Sequence, residues 1–276
     1  MTSTCTPFDV AAARRRCLKY RRRILEISQQ VSALHGAGAF SATELVDTIY
    51  NGLMRGKPGR ESPDTFVMSK GHGCMSQYVV LEDLGILARR DLDLYCKDGG
   101  ILGCHPDYGN PGIEASTGSL GHGMGLTTGM AYAEKFIHKR DGIVYVVLSD
   151  GELQEGSTWE AMMMAANLGV TNLVAMLDHN GMQSFGRTTE THPAFYPIRE
   201  KVEAFGWEAA EVNGHDGAAI HAATAGRKGR KPFMLIGNTT KGKGVSFMEN
   251  EAIWHYRSPN PTEFKQAMAE LKEVAG

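Results

Sequence analysis

The sequence has only five cysteines, at Cys5, Cys17, Cys74, Cys96 and Cys104, and no two of them form a C-x-x-C pair. An odd, irregularly spaced set excludes a disulfide-framed secreted scaffold and predicts free thiols in a reducing compartment. Cys104 stands beside His105, but no second Cys/His pair lies at zinc-finger spacing, so no structural zinc is expected. No run of about 18 apolar residues exists, which removes the signal of a membrane-spanning helix. The N-terminus has no continuous apolar stretch of the secretory kind, and cytoplasmic residence is the expectation. An excess of charge is missing too: 29 Lys and Arg against 31 Asp and Glu leave a formal charge of −2. That balance gives no reason to expect nucleic acid or an anionic membrane as a partner. Repeats, low-complexity tracts and Pro/Ser-rich linkers are also absent. Residues 1–276 are therefore read as one domain, long enough to bury its own core.

What is present is alternation. Short apolar runs at Thr65–Ser69, Ile143–Leu148, Leu173–Leu177, Glu208–Val212 and Phe233–Gly237 read as strands. Between and around them lie helical patterns: Val10–Leu34, Thr43–Met54, Cys74–Leu84, Gly121–His138, Ser157–Leu168, Ile198–Phe205, Gly217–Ala225 and Thr262–Val274. In the first, Ile24, Ile27, Val31 and Leu34 make an apolar stripe, with the arginines at 14–16 and 21–23 expected on the solvated side. Strands alternating with helices predict an α/β fold, a doubly wound parallel sheet with helices on both faces. Ligands in such folds sit at the carboxyl ends of the strands, so the residues just after each strand are the place to look for chemistry.

Two consecutive strands end informatively. Val144–Leu148 runs into Ser149-Asp150-Gly151-Glu152, and Leu173–Leu177 runs into Asp178-His179-Asn180-Gly181-Met182. Neighbouring parallel strands bring Asp150 and Asn180 side by side. A carboxylate, an amide oxygen and a nearby backbone carbonyl are the hard donors Mg²⁺ prefers. Gly151 is expected to let the backbone approach a diphosphate, with a helix N-terminus behind it favouring the anion. Asp-Gly and Asn-Gly are also ordinary turn dipeptides, but two of them ending successive strands of one β-α-β unit weigh toward a site.

Elsewhere, Ser69-Lys70-Gly71-His72-Gly73 follows a strand and offers donors to phosphate oxygens. The glycines at 121, 123, 125 and 129 lack the preceding strand that a Rossmann turn requires. The run Gly237–Gly244 fails as a P-loop, because Gly244 stands where Ser or Thr is needed.

Taken together these segments resemble the transketolase family. Ser149-Asp150-Gly151-Glu152-Leu153-Gln154-Glu155-Gly156 with Trp159-Glu160-Ala161 is similar to its thiamine-diphosphate motif, with Ser149 in place of the usual glycine. Lys70-Gly71-His72-Gly73, Thr117-Gly118-Ser119-Leu120-Gly121 and Lys241-Gly242-Lys243-Gly244 through Trp254-His255 resemble further family segments. The resemblance runs from about Arg14 to Pro261. It implies a thiamine-diphosphate-binding fold, with Mg²⁺ (Ca²⁺ or Mn²⁺ can substitute) held by Asp150, Asn180 and the Met182 carbonyl. It implies cofactor contacts from Lys70, His72, Gly118, Ser119, Leu120, Asp150, Gly151, Glu152, Asn180, Lys241 and His255. Catalytic roles fall to His35, His72, His105 and His255, for which imidazole suits proton transfer near neutrality, and to Glu155, which matches a glutamate linking paired active sites. His35 departs from the family's Gly-His-Pro, reading Leu34-His35-Gly36, which points to an unusual acceptor. Asn213-Gly214-His215-Asp216 is assigned a structural role.

The resemblance covers only the first half of an ordinary transketolase, so the pyrimidine-binding and C-terminal domains are expected on a partner chain, in an α₂β₂ heterotetramer. The implied reaction moves a two-carbon ketol unit from a ketose or ketose phosphate to an aldose. Two alternatives stand beside it: the α chain of a 2-oxo-acid dehydrogenase, and a cofactor-binding subunit without catalysis.

Overall fold

A computed structural model describes residues 8–31, 34–56, 62–184 and 186–272. Five strands, β1 (Thr65–Met68), β2 (Val144–Ser149), β3 (Leu173–His179), β4 (Glu208–Asn213) and β5 (Phe233–Asn238), form one wholly parallel sheet in the order β1-β2-β3-β5-β4. The helices are α1 (Val10–Ser28), α2 (Gly36–Thr48), α3 (Cys74–Asp83), α4 (Arg89–Asp93), α5 (Gly123–Tyr132), α6 (Gly156–Leu168), α7 (Thr188–Thr191), α8 (Ile198–Ala204), α9 (Gly217–Ala225) and α10 (Pro261–Glu270). All five expected strands form, each within two residues of its expected ends.

The central strands are apolar throughout because both faces are covered. Tyr145, Val147, Val174, Met176, Phe233 and Leu235 face a core shared with α1, α2, α3 and α9. The alternate positions Val144, Val146, Leu148, Leu173, Ala175 and Leu177 face a second core with α5, α6 and α8. This is the doubly wound arrangement the alternation predicts.

Three helical expectations need correction. α1 stops at Ser28, whose hydroxyl donates to the Leu25 carbonyl and competes with the helical ladder. The expected continuation at 32–33, like the tail at 273–274 and Cys5, lies outside the described residues. α2 begins seven residues earlier than its expected start, at Gly36, and leaves through a π-helical turn, Ile49–Leu53. The arginines of α1 are not all solvated: Arg21 and Arg23 are buried. Arg21 clasps Glu44 through two 2.6 Å bonds, and Arg23 reaches Glu82 and Asp93.

Glu44 is also 2.9 Å from His215 Nδ1, whose Nε2 accepts the Thr240 N–H at 2.8 Å, while Asp216 caps α9. The structural role expected for this segment is what it plays. Burial pushes the Glu44 carboxyl up, but Arg21 and His215 overcome it and hold it down at about 2, from an ordinary 4.5. A depressed folded-state value stabilises above the unfolded value and is lost as pH falls toward the folded one. We expect about 3 kcal/mol from this group at pH 6, fading between pH 4.5 and 2. Urea unfolding across that range measures it, and Glu44→Gln should flatten the slope while lowering stability at pH 6.

Candidate active site

β2 and β3 run in register with Ser149 opposite Asp178, so the two turns that follow lie together at the carboxyl edge of the sheet. Asp150 Oδ2 accepts the Gly181 N–H at 2.6 Å and lies 3.2 Å from His179 Nδ1; Oδ1 accepts the Gly151 N–H at 3.1 Å. Burial raises the Asp150 carboxyl above its ordinary value against the pull of His179, so the site favours an added cation. Asn180 presents Oδ1 to the Met182 N–H at 3.0 Å and turns its amide donors to Asp178 and Ser41. Among the described residues no three His, Cys, Asp or Glu side chains converge as a metal cage. The available set is a carboxylate, an amide oxygen and a backbone carbonyl.

The stretch after Gly151 is a short 3₁₀ turn, Glu152–Gln154, and α6 begins at Gly156, one residue before its expected start. The Glu152 N–H is already taken by Ser149 Oγ at 3.2 Å. A Cβ at Gly151 would meet no protein atom closer than Gln183 Cβ at 3.6 Å, so packing alone does not demand glycine there.

Above these turns opens a cavity of about 480 Å³, lined among others by His35, Lys70, His72, His105, Gly118, Leu120, Gly151, Glu155, Asn180, Met182, Lys241 and His255. Four imidazoles crowd one wall. His35 lies 5.7 Å from His72, 6.2 Å from His105 and 5.3 Å from His255 between ring centroids. Burial and the neighbouring cations push His35 to about 4 and His255 to about 3, with His72 also lowered well, so all three are neutral at pH 7. Lys241 falls to about 8, by burial first and Lys70 second. Its ammonium lies 2.8 Å from His255 Nδ1; donation there leaves the proton of neutral His255 on Nε2. Trp254, buried against Phe247 and under Arg257, anchors the turn that carries His255.

Beneath the cavity lies a buried polar layer. Lys70 Nζ pairs with Asp178 Oδ2 and donates to the Gly38 carbonyl at 2.9 Å. Asp178 also receives Ser41 Oγ at 2.6 Å and Thr239 Oγ1. Lys70 thus touches the cavity while its charge is committed below. Glu152 sits wholly inside, accepting Ser69 Oγ at 2.5 Å and the Gly121 N–H at 3.0 Å; it braces three loops and does not line the cavity. Ser119 is exposed and lines a separate shallow pocket with Thr117 and His122.

Two glycines are required by contact. A Cβ on Gly71 would stand 2.7 Å from Gly118 Cα and N, and one on Gly118, where φ is +134°, would meet His105 Cδ2 at 2.7 Å. Sequence reasoning missed Gln154, Gln183, Ser184 and Tyr256 on the cavity wall. Tyr256, 56% exposed, packs its ring 4.9 Å from His35 and 4.4 Å from His255. Only its place next to Trp254-His255 signals it in the sequence. A larger groove of about 1230 Å³ runs along α1 and α3, away from the strand ends; Arg16, Lys19 and Arg23 there are tied to Asp47, Asp83 and Glu82.

Residues 14–271 match the family model described as the thiamine diphosphate binding domain of transketolase. The chain is 40% identical over 260 residues to one of the subunits of the apulose-4-phosphate transketolase of Phocaeicola vulgatus, covering 92% of each. It is 36% identical over 259 residues to 6-deoxy-6-sulfo-D-fructose transketolase subunit SqwG of a Clostridium species, covering 92% of this chain and 94% of that one. Against human transketolase the figures are 37% over 225 residues, 80% of this chain and 36% of the human protein. Among solved structures, transketolase from Leishmania mexicana superposes with a TM-score of 0.84 at 25% identity, covering 96% of this chain and 42% of that one. The chain belongs to the transketolase family, and the matched region is that family's thiamine diphosphate binding domain.

Proposed function

We propose that this chain is the diphosphate-binding subunit of a two-chain transketolase, active with a partner that supplies the pyrimidine-binding half. The observation carrying this is the cavity itself: Lys241 and four imidazoles converge over adjacent strand ends that bear Asp150 and Asn180. The crowded cations depress one another, and an anion in their midst relieves that repulsion. Asp150, the Asn180 oxygen and the Met182 carbonyl are hard oxygen donors that would hold Mg²⁺, which would neutralise charge on the diphosphate. Gly118 and Gly151 leave the wall without side chains on the cofactor's side.

Thiamine diphosphate, when bound, supplies the electron sink for breaking and remaking the bond between ketose carbons 2 and 3. The protein's own part is proton handling and placement. Neutral His35, His72 and His255 can each accept a proton or donate one to a sugar oxygen. Lys241 fixes the His255 tautomer. Glu155, exposed at the cavity edge, is our candidate for the glutamate that links paired active sites.

Assembly is supported by an apolar face. On α5 and the turn after it, Leu126, Tyr132, Phe136 and Ile137 are exposed, beside Met163, Met164 and Leu168 of α6. Contiguous apolar surface of this kind marks a protein–protein contact. Our reading sets it within an α₂β₂ heterotetramer in the cytoplasm, where the thiols stay reduced. Among the described residues no helix is long and apolar enough to cross a membrane.

The test mixes this chain with a pyrimidine-binding transketolase subunit, thiamine diphosphate and Mg²⁺, and follows two-carbon transfer from ketose phosphates to aldoses. Transfer that needs both chains is the expected result. Decarboxylation of a 2-oxo acid without ketol transfer would assign the dehydrogenase reaction instead.

A further inference from the structure

Tyr256 is a large aromatic side chain left in the open. It lines the cavity that holds the four imidazoles, yet 56% of its surface is exposed. Among the described residues it is the one Phe, Tyr or Trp on that wall. Its mount is rigid. On one side Trp254 is buried against Phe247. On the other, Arg257 lies 4.3 Å over the Trp254 ring and donates to Glu263 of α10 at 2.7 Å. The Tyr256 ring itself meets His35 and His255 at steep angles, 65° and 78°. Such edge-to-face contacts fix a ring while leaving area free for a further partner.

The His35 imidazole leans on this ring. His35 caps α2 without a side-chain hydrogen bond to it. Of the four rings around it, Tyr256 at 4.9 Å is nearer than His255, His72 or His105. The segment Leu34-His35-Gly36, where the sequence departs from the family pattern, therefore forms one patch in space with Tyr256. The cations joined to this patch are engaged elsewhere: Lys241 is buried against His255 and the Gln183 carbonyl, and Arg257 is paired with Glu263. This stretch of wall offers a substrate a ring and not a charge. A sugar chain carries polarised C–H bonds, and these are drawn to the electron-rich face of an aromatic ring.

We propose that Tyr256 is a specificity-determining residue, whose ring stacks on the carbon chain of the aldose acceptor at the cavity rim and selects for chain length, not for a terminal phosphate. The proposal rests on the transketolase reading of this cavity and adds to it a residue and a rule of selection. In that reading the reacting carbons meet the neutral imidazoles inside, and the rest of the chain passes the rim. The ring is held in place before the sugar arrives, so little ordering is needed on binding.

The experiment uses the complex of both subunits loaded with thiamine diphosphate and Mg²⁺, with glycolaldehyde, D-ribose and D-ribose 5-phosphate as acceptors. Tyr256→Ala should raise KM about fivefold for ribose and ribose 5-phosphate alike, least for glycolaldehyde, with kcat little changed. Tyr256→Phe keeps the ring and should restore KM to within about twofold. A second readout needs no turnover. With 3-fluorotyrosine in place of the nine tyrosines, the Tyr256 fluorine resonance, assigned by its loss in Tyr256→Phe, should shift as D-ribose is titrated in without a ketose. An unchanged KM in Tyr256→Ala, a loss confined to the phosphorylated aldose, an equal loss in Tyr256→Phe, or a fluorine resonance that ignores ribose would each overturn the proposal. So would separation of the subunits in Tyr256→Ala, seen by sedimentation, since the ring would then be an assembly contact. A complex that turns over no ketose counts against the transketolase reading alone, and the fluorine titration then decides the stacking.

Discussion

Asp178→Ala should destabilise the chain by about 3–5 kcal/mol, the cost of leaving one member of a buried ion pair without its partner. Asp178 is wholly buried, as is Lys70. Burial pushes the Asp178 carboxyl up, but Lys70, Ser41 and Thr239 outweigh it and hold it below its ordinary value. Without the carboxylate, Lys70 keeps one good acceptor, the Gly38 carbonyl, and must bury a charge or lose it. Urea unfolding at pH 7 measures the loss. The double variant Lys70→Met/Asp178→Leu should recover most of it, since an apolar pair of similar size removes both charges together. A single variant costing under about 1 kcal/mol would mean that water reaches Lys70 and the pair is not sealed.

Asp150→Ala should weaken thiamine diphosphate and Mg²⁺ binding by about 10³-fold, equivalent to roughly 4 kcal/mol, and abolish ketol transfer at ordinary cofactor concentrations. The substitution removes the one carboxylate of the proposed metal set and also frees the Gly181 N–H and His179, so shape and charge change at once. Asp150→Asn separates the two effects by keeping an oxygen for Gly181 while deleting the charge. Calorimetric titration of the cofactor with Mg²⁺ into both variants, with circular dichroism as a check on folding, reads the outcome. If Asp150→Asn binds as tightly as the unaltered protein, the carboxylate is a structural brace and not a metal ligand.

Much of the fold is legible in the sequence because a parallel sheet covered on both faces needs uninterrupted apolar strands. Val144–Leu148 and Leu173–Leu177 announce themselves that way, and the register of β2 with β3 follows from their adjacency. The start of α2 is hidden by Gly36 and Gly38, which read locally as loop; tertiary packing of an alanine-rich face decides otherwise. The buried arginines are hidden for a related reason. Arg21 and Arg23 look like a solvated face until Glu44 and Glu82 arrive from other helices, and no local spacing records that.

Within the site, Asp150 and Asn180 can be paired from strand ends alone. The gathering of His35, His72, His105 and His255 cannot, because four separate segments meet there. Asp178 carries a signal of its own: a carboxylate ending the run Leu-Val-Ala-Met-Leu needs a buried partner, and Lys70 is the candidate. Glu152, read from its motif as a cofactor contact, is buried beneath the cavity, where it accepts from Ser69 Oγ and the Gly121 N–H.

The contact between Gly71 and Gly118 has a bearing on how this protein can change over time. Two loops from distant parts of the chain approach so closely that a methyl group on Gly71 would displace the backbone of Gly118, while one on Gly118 would strike the His105 ring. A larger residue at position 71 cannot be rescued by trimming position 118, because glycine is already the smallest choice. Drift at position 71 is closed, whereas Tyr256 at the cavity rim, 56% exposed, has room to be exchanged.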